Sequence, residues 1–393
     1  MSGSVPALFR RDENFAPPFT AAVPLRREVG PFAAEPVWVV SNWEGARSVL
    51  GDAEHFSRGR IEFSGVEPER AAKLRAGMLL AQDPPDHTRL RRMLTGEFTV
   101  RRIKGLEPRI TEIVEEHLDR MEQLGPPLDL VEHFALAIPS LVICELLGVP
   151  YADREAFQHR AARTIDLTLP EAERRQVTDA SREYMHALVQ QHRADPGEDL
   201  LSRLVVRHAS SGDPDELSDD ELVGIGNLLL IAGHETTSNM LALGTLALLR
   251  RPDQLAVVRD DPEAVPGAVE ELLRYLSVVH TALPRVVTGD VVLGGTTVTD
   301  GDLVTVSLPS ANRDPEVADR GDDLDLTRPA TNHVAFGHGI HHCLGAPLAR
   351  AEMQIAFPAL FRRFPGLALV PDRPPAYREQ TFIYGLTELP VTW

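Results

Sequence analysis

The chain has 393 residues, of which 43% are hydrophobic and 25% are charged, a balance typical of a globular protein with a large core. Its formal net charge of -18 argues against a nucleic-acid partner, because binding to phosphates requires a basic surface. Two cysteines, Cys144 and Cys343, are too few for a disulfide framework and indicate a reducing compartment. No Ser/Gly-rich linker or repeat divides the sequence, so we expect one domain over residues 1–393.

The first part of the chain contains few periodic segments. Residues 1–18 lack a basic region followed by an apolar core, so we expect neither a signal peptide nor a membrane anchor. Residues 1–36 are rich in Pro and Arg, which predicts an arm that wraps over the surface. A strand is predicted over 37–40 and a helix over 42–50. Residues 56–80 predict only an irregular segment.

A helix is predicted to begin after Asp83, where two prolines and an acid precede a basic run. His87 and Arg91 are four residues apart and therefore share one face of this helix. Two such donors can hold a pair of carboxylates. A solvated basic helix is an equally good interpretation of the same pattern.

The middle of the chain is helical in pattern from 103 to 220, with breaks at 125–127, 148–150, 169–170 and 195–197. Cys144 lies in an apolar helix and is interpreted as core filling. Ser218 and Glu221 form a capping-box pattern that begins a periodic run ending at Leu249. At ~1.5 Å per residue this helix would be nearly 50 Å long. Polar residues in its middle argue against a membrane span.

The polar centre of this long helix is a candidate chemical site. Gly233 weakens the helix, and the Thr236 hydroxyl can bond the carbonyl of Ala232, which predicts a bent or opened turn. Such a turn would present a carboxylate, Glu235, and a hydroxyl beside an apolar wall. A zinc-protease motif would need a second histidine where Ser238 stands. An incidental polar patch is the alternative.

Two further patterns follow the long helix. Glu271 and Arg274 lie three residues apart on one face of a helix predicted over 263–275, and an exposed pair of this kind would contribute little to stability. Residues 278–312 change to alternating and β-branched segments with turns at 288–290, 294–295 and 300–302. This change predicts a small β region.

The most distinctive stretch is 336–345, Phe-Gly-His-Gly-Ile-His-His-Cys-Leu-Gly. Gly337 and Gly339 predict tight turns or a close backbone approach. A helix is predicted over 344–364, so Cys343 would stand just before a helix N-terminus, where unpaired N–H groups and the helix dipole favour an anion such as a thiolate.

Two other interpretations of Cys343 fit the surrounding sequence less well. Three neighbouring histidines suggest zinc, but the second separated ligand pair typical of a zinc site is missing. A small buried hydrophobe would not require the flanking glycines. The neighbouring histidines are His338, His341 and His342.

The spacing Phe336-x-x-Gly339-x-His341-x-Cys343-x-Gly345 resembles the haem-ligand signature of the cytochromes P450. The resemblance implies a mainly α fold with a smaller β region, a triangular α-rich prism around the long central helix. It also implies non-covalently held haem b, with the Cys343 thiolate as the axial iron ligand. His341 would be a partner of a haem propionate, and Phe336 would pack near the sulfur.

Other segments resemble the same family in the expected order. His87 and Arg91 match the helix that holds the haem propionates, and Arg285 matches a later propionate contact. Glu235 and Thr236 match the acid–alcohol pair that assists proton delivery during oxygen activation.

Glu271 and Arg274 match the Glu-x-x-Arg pair that orders the core near the haem. The family usually adds a third basic residue from within 313–328. Asp323 stands where an arginine is common, which leaves Arg320 or Arg328 as the expected substitute.

The resemblance also implies the position of the substrate. Residues 56–80 would cover the active site, and residues 164–173 would form a mobile lid. The expected substrate contacts are Phe63, Met78, Leu79, Leu229, Ala232, Val278, Val279, Ala282, Phe382 and Ile383.

The motifs are most similar to those of soluble actinobacterial P450s of secondary metabolism. The implied activity is a monooxygenase that hydroxylates or epoxidises a lipophilic small molecule, such as a polyketide, macrolide, terpenoid or xenobiotic. O₂ would be the co-substrate, and two electrons would come from NAD(P)H through ferredoxin reductase and ferredoxin. We expect a cytoplasmic monomer without a membrane partner. The candidates for docking an acidic partner are Arg91, Arg92, Arg350, Arg362 and Arg363.

Rival functions remain open from the sequence. A related thiolate-haem enzyme could catalyse oxidative coupling, dehydrogenation or peroxygenation. A haem gas sensor would share the cysteine loop but would not need an acid–alcohol pair.

Overall fold

The computed structural model describes residues 7–29, 36–61, 66–164, 166, 169–207, 216–378 and 381–393. Helices dominate this part of the chain. The α-helices are α1 (Trp43–Gly51), α2 (Pro68–Arg75), α3 (Asp86–Thr95), α4 (Val100–Leu124), α5 (Ala137–Leu147), α6 (Arg154–Thr164), α7 (Glu171–Ala194), α8 (Leu200–Arg207), α9 (Asp219–Leu249), α10 (Pro252–Asp260), α11 (Val265–Leu276), α12 (Leu308–Ala311) and α13 (Ala346–Arg363).

The strands are short and form small sheets. They are β1 (Leu25–Val29), β2 (Pro36–Val40), β3 (Phe56–Ser57), β4 (Leu128–Asp129), β5 (Arg285–Val287), β6 (Val291–Leu293), β7 (Thr296–Val298), β8 (Leu303–Val306), β9 (Ala368–Leu369), β10 (Ala376–Tyr377), β11 (Leu386–Glu388) and β12 (Pro390–Thr392). The largest sheet has the order β1-β2-β8-β5-β3, in which β2 and β8 are parallel and the other pairs antiparallel. No described helix combines the length and apolar character needed to cross a bilayer.

The structure corrects two predictions for the first 80 residues. The predicted arm contains β1, which forms the edge of the largest sheet, and its central Arg-Arg-Glu run hides the strand from a hydrophobic pattern. The segment predicted to be irregular contains α2, which has a proline in its first turn and basic residues in its last turn. None of the residues of α2 is buried, so the helix has no apolar periodicity for sequence reasoning to detect.

The long helix α9 forms the centre of the fold. Its predicted capping box is confirmed: Glu221 N donates to Ser218 Oγ at 3.2 Å, and Ser218 N donates to Glu221 Oε2 at 2.9 Å. The helix runs for 31 residues, and α5, α7 and α13 pack against it. The predicted opening of its middle turn is wrong, because α9 is helical throughout. Thr236 Oγ1 donates to Ala232 O at 2.8 Å, and a carbonyl with two lone pairs can accept this bond together with its helical N–H bond.

Glycines end two helices at the predicted breaks. Gly125 follows α4 and Gly148 follows α5, both with φ of 71°. This left-handed region is open to glycine at little cost. Cys144 on α5 is fully buried, as predicted for core filling, and burial raises the pKa of its thiol to about 12.

A buried charge cluster joins α11 to the segment before the cysteine loop. Arg274 Nε lies 2.7 Å from Glu271 Oε2, and both side chains are almost completely buried, in agreement with the core-ordering pair that the resemblance implies. Arg328 supplies a second cation, with its Nε 3.2 Å from Glu271 Oε1. Asp323 contributes its backbone carbonyl, which accepts from Arg274 Nη2 at 3.0 Å. Arg320 is 75% exposed and lies 3.5 Å from Asp323 instead.

We predict that replacing Arg274 with Ala lowers the free energy of unfolding by about 3–5 kcal/mol, because it leaves the Glu271 carboxylate buried without its main partner. Arg320→Ala is the matched control and should change it by about 1 kcal/mol or less. Urea unfolding followed by circular dichroism measures both values. Equal effects of the two substitutions would contradict this role for the buried cluster.

Candidate active site

The cysteine loop is closed by its own backbone. Cys343 N donates to Phe336 O at 2.9 Å. Gly337 and Gly339 have φ of 74° and 72°, a region that L side chains rarely adopt. A Cβ on Gly339 would overlap the carbonyl oxygen of Leu50 at the end of α1. Both predicted reasons for glycine, a tight turn and a close approach, therefore occur in this loop.

The Cys343 sulfur lies just before the N-terminus of α13. The backbone N–H groups of Gly345 and Ala346 donate to it and lower its pKa, as the helix position led us to expect. Burial acts in the opposite direction and outweighs them, so the pKa of the thiol is raised overall. The Cys343 residue nevertheless has an exposed surface. Its sulfur therefore faces an internal space that a ligand can fill.

Two histidines meet beside this space. The rings of His87 on α3 and His341 in the cysteine loop pack edge to face with centroids 4.4 Å apart. All four ring nitrogens are buried and have no hydrogen-bond partner among the described residues. Burial, then the neighbouring His87, Arg285 and Arg58, lower the pKa of His341 to about 3. Buried polar atoms are normally paired, so these nitrogens suit a polar ligand.

Cations outnumber anions around the histidine pair. Arg58 and Arg285 are 8% and 4% exposed, and burial lowers the pKa of each guanidinium to about 10. Asp83 accepts hydrogen bonds from Ser57 Oγ at 2.6 Å and from the backbone N of Arg58 at 2.9 Å. One carboxylate beside two arginines leaves excess positive charge, and this balance favours an anionic ligand.

Arg58 is a residue that sequence reasoning missed. It follows the two-residue strand β3, in a segment without a recognisable motif. Its Nε donates to Leu80 O at 2.8 Å, and its Nη1 donates to Pro284 O, next to Arg285. Arg91, which was predicted, donates from Nη1 to His342 O at 2.7 Å and so joins α3 to the cysteine loop.

Phe336 lies at the start of the cysteine loop. Its ring is partly buried against the main core, and the Arg350 guanidinium lies 4.6 Å from the ring centroid. Arg350 also pairs with Glu270, with Nε 2.6 Å from Oε1. These contacts fix one end of the loop that carries Cys343.

One face of α9 borders an internal space. Leu228, Ala232 and Thr236 occupy positions i, i+4 and i+8, and Ala232 is exposed although it lies in the middle of a largely buried helix. The predicted contact Leu229 is only 8% exposed and packs in the main core instead. Leu228 was missed, although its spacing from Thr236 could have identified it.

Glu235 points away from that face. Its carboxylate is completely buried, and Arg378 Nη1 donates to its Oε2 at 2.6 Å. Arg378 follows β10 and carries no motif, so the sequence did not identify it. The acid and the alcohol of the predicted pair therefore lie on different faces of α9.

Two segments that were predicted to contact the substrate, one around Val279 and one around Phe382, lie side by side. Val279 and Ile383 form an antiparallel bridge, and His280 N donates to Phe382 O at 3.2 Å. Of the expected contacts, those with some exposed surface are Met78, Ala232, Val279, Ala282 and Phe382, and those that are buried are Leu79, Leu229, Val278 and Ile383. Phe63 lies outside the described residues.

Comparison with known proteins identifies the family. The family model described as Cytochrome P450 matches residues 31–169 and 163–390. Cytochrome P450 FAS1 of Rhodococcoides fascians is 45% identical over 372 residues, which cover 93% of this chain and 92% of that protein. Vitamin D3 dihydroxylase of Streptomyces griseolus is 43% identical over 373 residues, with 94% and 91% covered. The solved structure of P450 StaH from glycopeptide antibiotic A47934 biosynthesis is 41% identical, with a TM-score of 0.88 and 99% and 100% covered.

The chain belongs to the cytochrome P450 family and has the fold predicted from its motifs. It is a cytochrome P450 monooxygenase, similar to actinobacterial members of the family. The family uses O₂ and haem with a thiolate ligand. The site fits this group, since it combines an accessible thiol with excess buried positive charge and unpaired ring nitrogens that suit two propionates.

Proposed function

We propose that this monooxygenase inserts one oxygen atom into a lipophilic small molecule, with the Cys343 thiolate as the axial ligand of haem b. The observation that carries the proposal is the accessible Cys343 sulfur, held before α13 by two backbone N–H donors. The only other cysteine of the chain, Cys144, is completely buried in α5. When bound, haem supplies the activation of O₂ with two electrons and two protons, and the second oxygen atom leaves as water.

Five side chains are proposed to orient the propionates and stabilise their charge. Arg58 and Arg285 bring buried positive charge, and His87 and His341 bring ring nitrogens with no other partner among the described residues. Arg91 approaches from α3, where its Nη1 donates to the carbonyl of His342, the residue before Cys343. Phe336 would cover the sulfur side of the ring.

We predict that Arg58→Ala speeds haem loss about tenfold or more, because a hydrogen bond to a charged group contributes about 1.5–3 kcal/mol. Arg75→Ala is the matched control, since Arg75 is an arginine of the same region whose guanidinium donates to the backbone carbonyls of Gly59, Ala81 and Ile61. Transfer of haem to an apo-globin acceptor measures the rate. Equal rates for the two variants would remove Arg58 from the propionate site.

Thr236 and Glu235 are proposed to deliver protons. The Thr236 hydroxyl lies on the α9 face that borders the internal space, and its oxygen can accept a hydrogen bond while its own hydrogen is donated to Ala232 O. Glu235 is the adjacent acid and lies behind that face. An otherwise apolar wall limits stray water, which would compete for protons.

We predict that Thr236→Ala increases the peroxide released per NAD(P)H oxidised by several-fold, because poor proton delivery returns reduced oxygen to solvent. Thr245→Ala is a matched control: the Thr245 hydroxyl makes the same bond to the carbonyl four residues back, Leu241 O, at 2.8 Å in the buried core. The assay uses a surrogate ferredoxin and reductase. Unchanged peroxide release in Thr236→Ala would contradict the proton role.

The proposed substrate is a lipophilic secondary metabolite, such as a polyketide, macrolide or terpenoid, or a xenobiotic. The side chains with exposed surface on the expected walls are largely apolar, among them Leu228, Val279, Ala282 and Phe382. Among the similar proteins, one is named a vitamin D3 dihydroxylase, and StaH is described as a P450 from glycopeptide antibiotic biosynthesis. Hydroxylation or epoxidation is the outcome proposed for this chain.

Electrons are proposed to come from NAD(P)H through ferredoxin reductase and ferredoxin. Two of the candidate docking residues are already paired: Arg350 with Glu270, and Arg363 with Glu115 and Asp119. Of the candidates, Arg92 on α3 and Arg362 on α13 are exposed, and the proposed dock is formed by these two residues. We further propose that the chain acts as a cytoplasmic monomer with a single P450 domain.

Product analysis tests the proposed outcome directly. The reconstituted protein is supplied with vitamin D3 and a panel of polyketides, macrolides and terpenoids selected for spectral shifts, and products are identified by mass spectrometry. A product that has gained one oxygen atom supports the proposal. A dimeric or dehydrogenated product would identify coupling or dehydrogenation instead, and oxygen binding without any product across the panel would favour the sensor.

A further inference from the structure

Glu235 has one strong partner, and that partner comes from a distant part of the chain. Arg378 Nη1 lies 2.6 Å from Glu235 Oε2, with side-chain exposures of 17% and 0%. The other carboxylate oxygen, Oε1, is buried and lies 3.6 Å from His234 Nδ1, beyond a good hydrogen bond. A buried carboxylate needs a counter-charge, and Arg378 supplies it.

Backbone contacts of Arg378 and Gly385 bring Arg378 close to Glu235. Arg378 N donates to Gly385 O at 3.0 Å, which closes the loop between β10 and β11. A Cβ on Gly385 would overlap the Asn239 amide oxygen, so glycine permits this loop to lie directly on α9. Asn239 Nδ2 in turn donates to Glu235 O at 2.8 Å, one helical turn away. Arg378 and Gly385 therefore fasten the loop to α9 at the level of Glu235.

The same loop forms part of the expected substrate wall. Its residues Phe382 and Ile383 lie beside the segment around Val279, through the His280 N to Phe382 O bond and the Val279–Ile383 bridge. Thr381 forms a bridge with Asp166, in the segment expected to act as the lid. One short loop thus contacts the substrate wall, the expected lid and the acid of α9.

Glu235 and Thr236 are neighbours in sequence but project about 100° apart around the helix axis. The orientation of the Glu235 carboxylate relative to the Thr236 hydroxyl therefore depends on the groups that contact the carboxylate on the side away from Thr236. Arg378 is the charged group that pairs with this carboxylate, and its own side chain is largely buried. His234, the other polar neighbour, is 1% exposed and has no hydrogen bond from its ring to any described residue.

We propose that Arg378 is the positioning residue for Glu235, and that Arg378 together with residues 381–385 thereby couples the substrate wall to proton delivery. The inference rests on the proposed role of Glu235. Arg378 touches neither the cofactor nor the substrate in this account and acts only through the carboxylate. It transfers no proton itself.

The test is a set of variants assayed for peroxide released per NAD(P)H oxidised, with a surrogate ferredoxin and reductase. We expect Arg378→Ala to raise this ratio by several-fold and to slow turnover roughly tenfold, less than the about hundredfold that loss of a general acid costs. Arg378→Lys should restore part of the coupling, because it returns a cation to Glu235. Arg373→Ala is the matched control, since Arg373 pairs with Glu388 of β11 at 2.6 Å on the exposed side of the hairpin.

A double-mutant cycle separates positioning from simple destabilisation. In a Glu235→Gln background, Arg378→Ala should add little further peroxide release, because the group it positions is already gone. The solvent deuterium isotope effect on turnover should change in Arg378→Ala and stay unchanged in Arg373→Ala. Additive effects in the cycle, or the same loss of coupling in Arg373→Ala, would overturn the inference.

Failure of the inference and failure of the proposed function give different results. If the unmodified holoprotein oxidises no NAD(P)H and forms no oxygenated product with surrogate partners, the proposed function itself is wrong. If Glu235→Gln is as well coupled as the unmodified protein, the proposed proton role of Glu235 is wrong. If Glu235→Gln is uncoupled while Arg378→Ala retains normal coupling, only the role of Arg378 is wrong.

Discussion

The hydrogen bond from Cys343 N to Phe336 O closes the loop on which the rest of the site depends. Closure places the sulfur before α13, within reach of the N–H groups of Gly345 and Ala346. It also carries His341 against His87 and brings His342 O to Arg91. Two glycines in the left-handed region make this path possible, and one of them also allows contact with the end of α1.

The site concentrates groups that are costly to bury without a ligand. Two arginines and two histidines, all with lowered pKa values, surround the Asp83 carboxylate, and the neighbouring thiol has a raised pKa. A ligand that combines a metal for the sulfur with two carboxylates for the cations would relieve these costs together. Binding to the folded state alone would then stabilise the fold by mass action. The same buried, uncompensated groups therefore explain why the site is electrostatically unfavourable without a ligand and why it would bind haem.

The sequence predicted what depends on local pattern. Local sequence patterns predicted the positions of α9 and α13, the capping box at Ser218 and the glycines of the cysteine loop. The family resemblance predicted the role of the cysteine itself.

Side chains whose role depends on distant contacts were missed. Arg58 and Arg378 lie in segments without motifs, and each becomes relevant only when folding brings it to Asp83 or Glu235. The spacing of Glu271 and Arg274 does not by itself show whether their helix face is buried, and only the family resemblance implied a place in the core. Strand β1 and helix α2 were missed since neither has an apolar face that a pattern can show.

The central claim is that Cys343, and not Cys144, binds the haem iron as a thiolate. The most direct measurement is the absorption spectrum of the reduced protein with carbon monoxide, recorded for the unmodified chain and for Cys343→His and Cys144→Ala at equal haem content. The account predicts the red-shifted Soret band of thiolate ligation in the unmodified chain and in Cys144→Ala, and its loss in Cys343→His. A red-shifted band that persists in Cys343→His would contradict it.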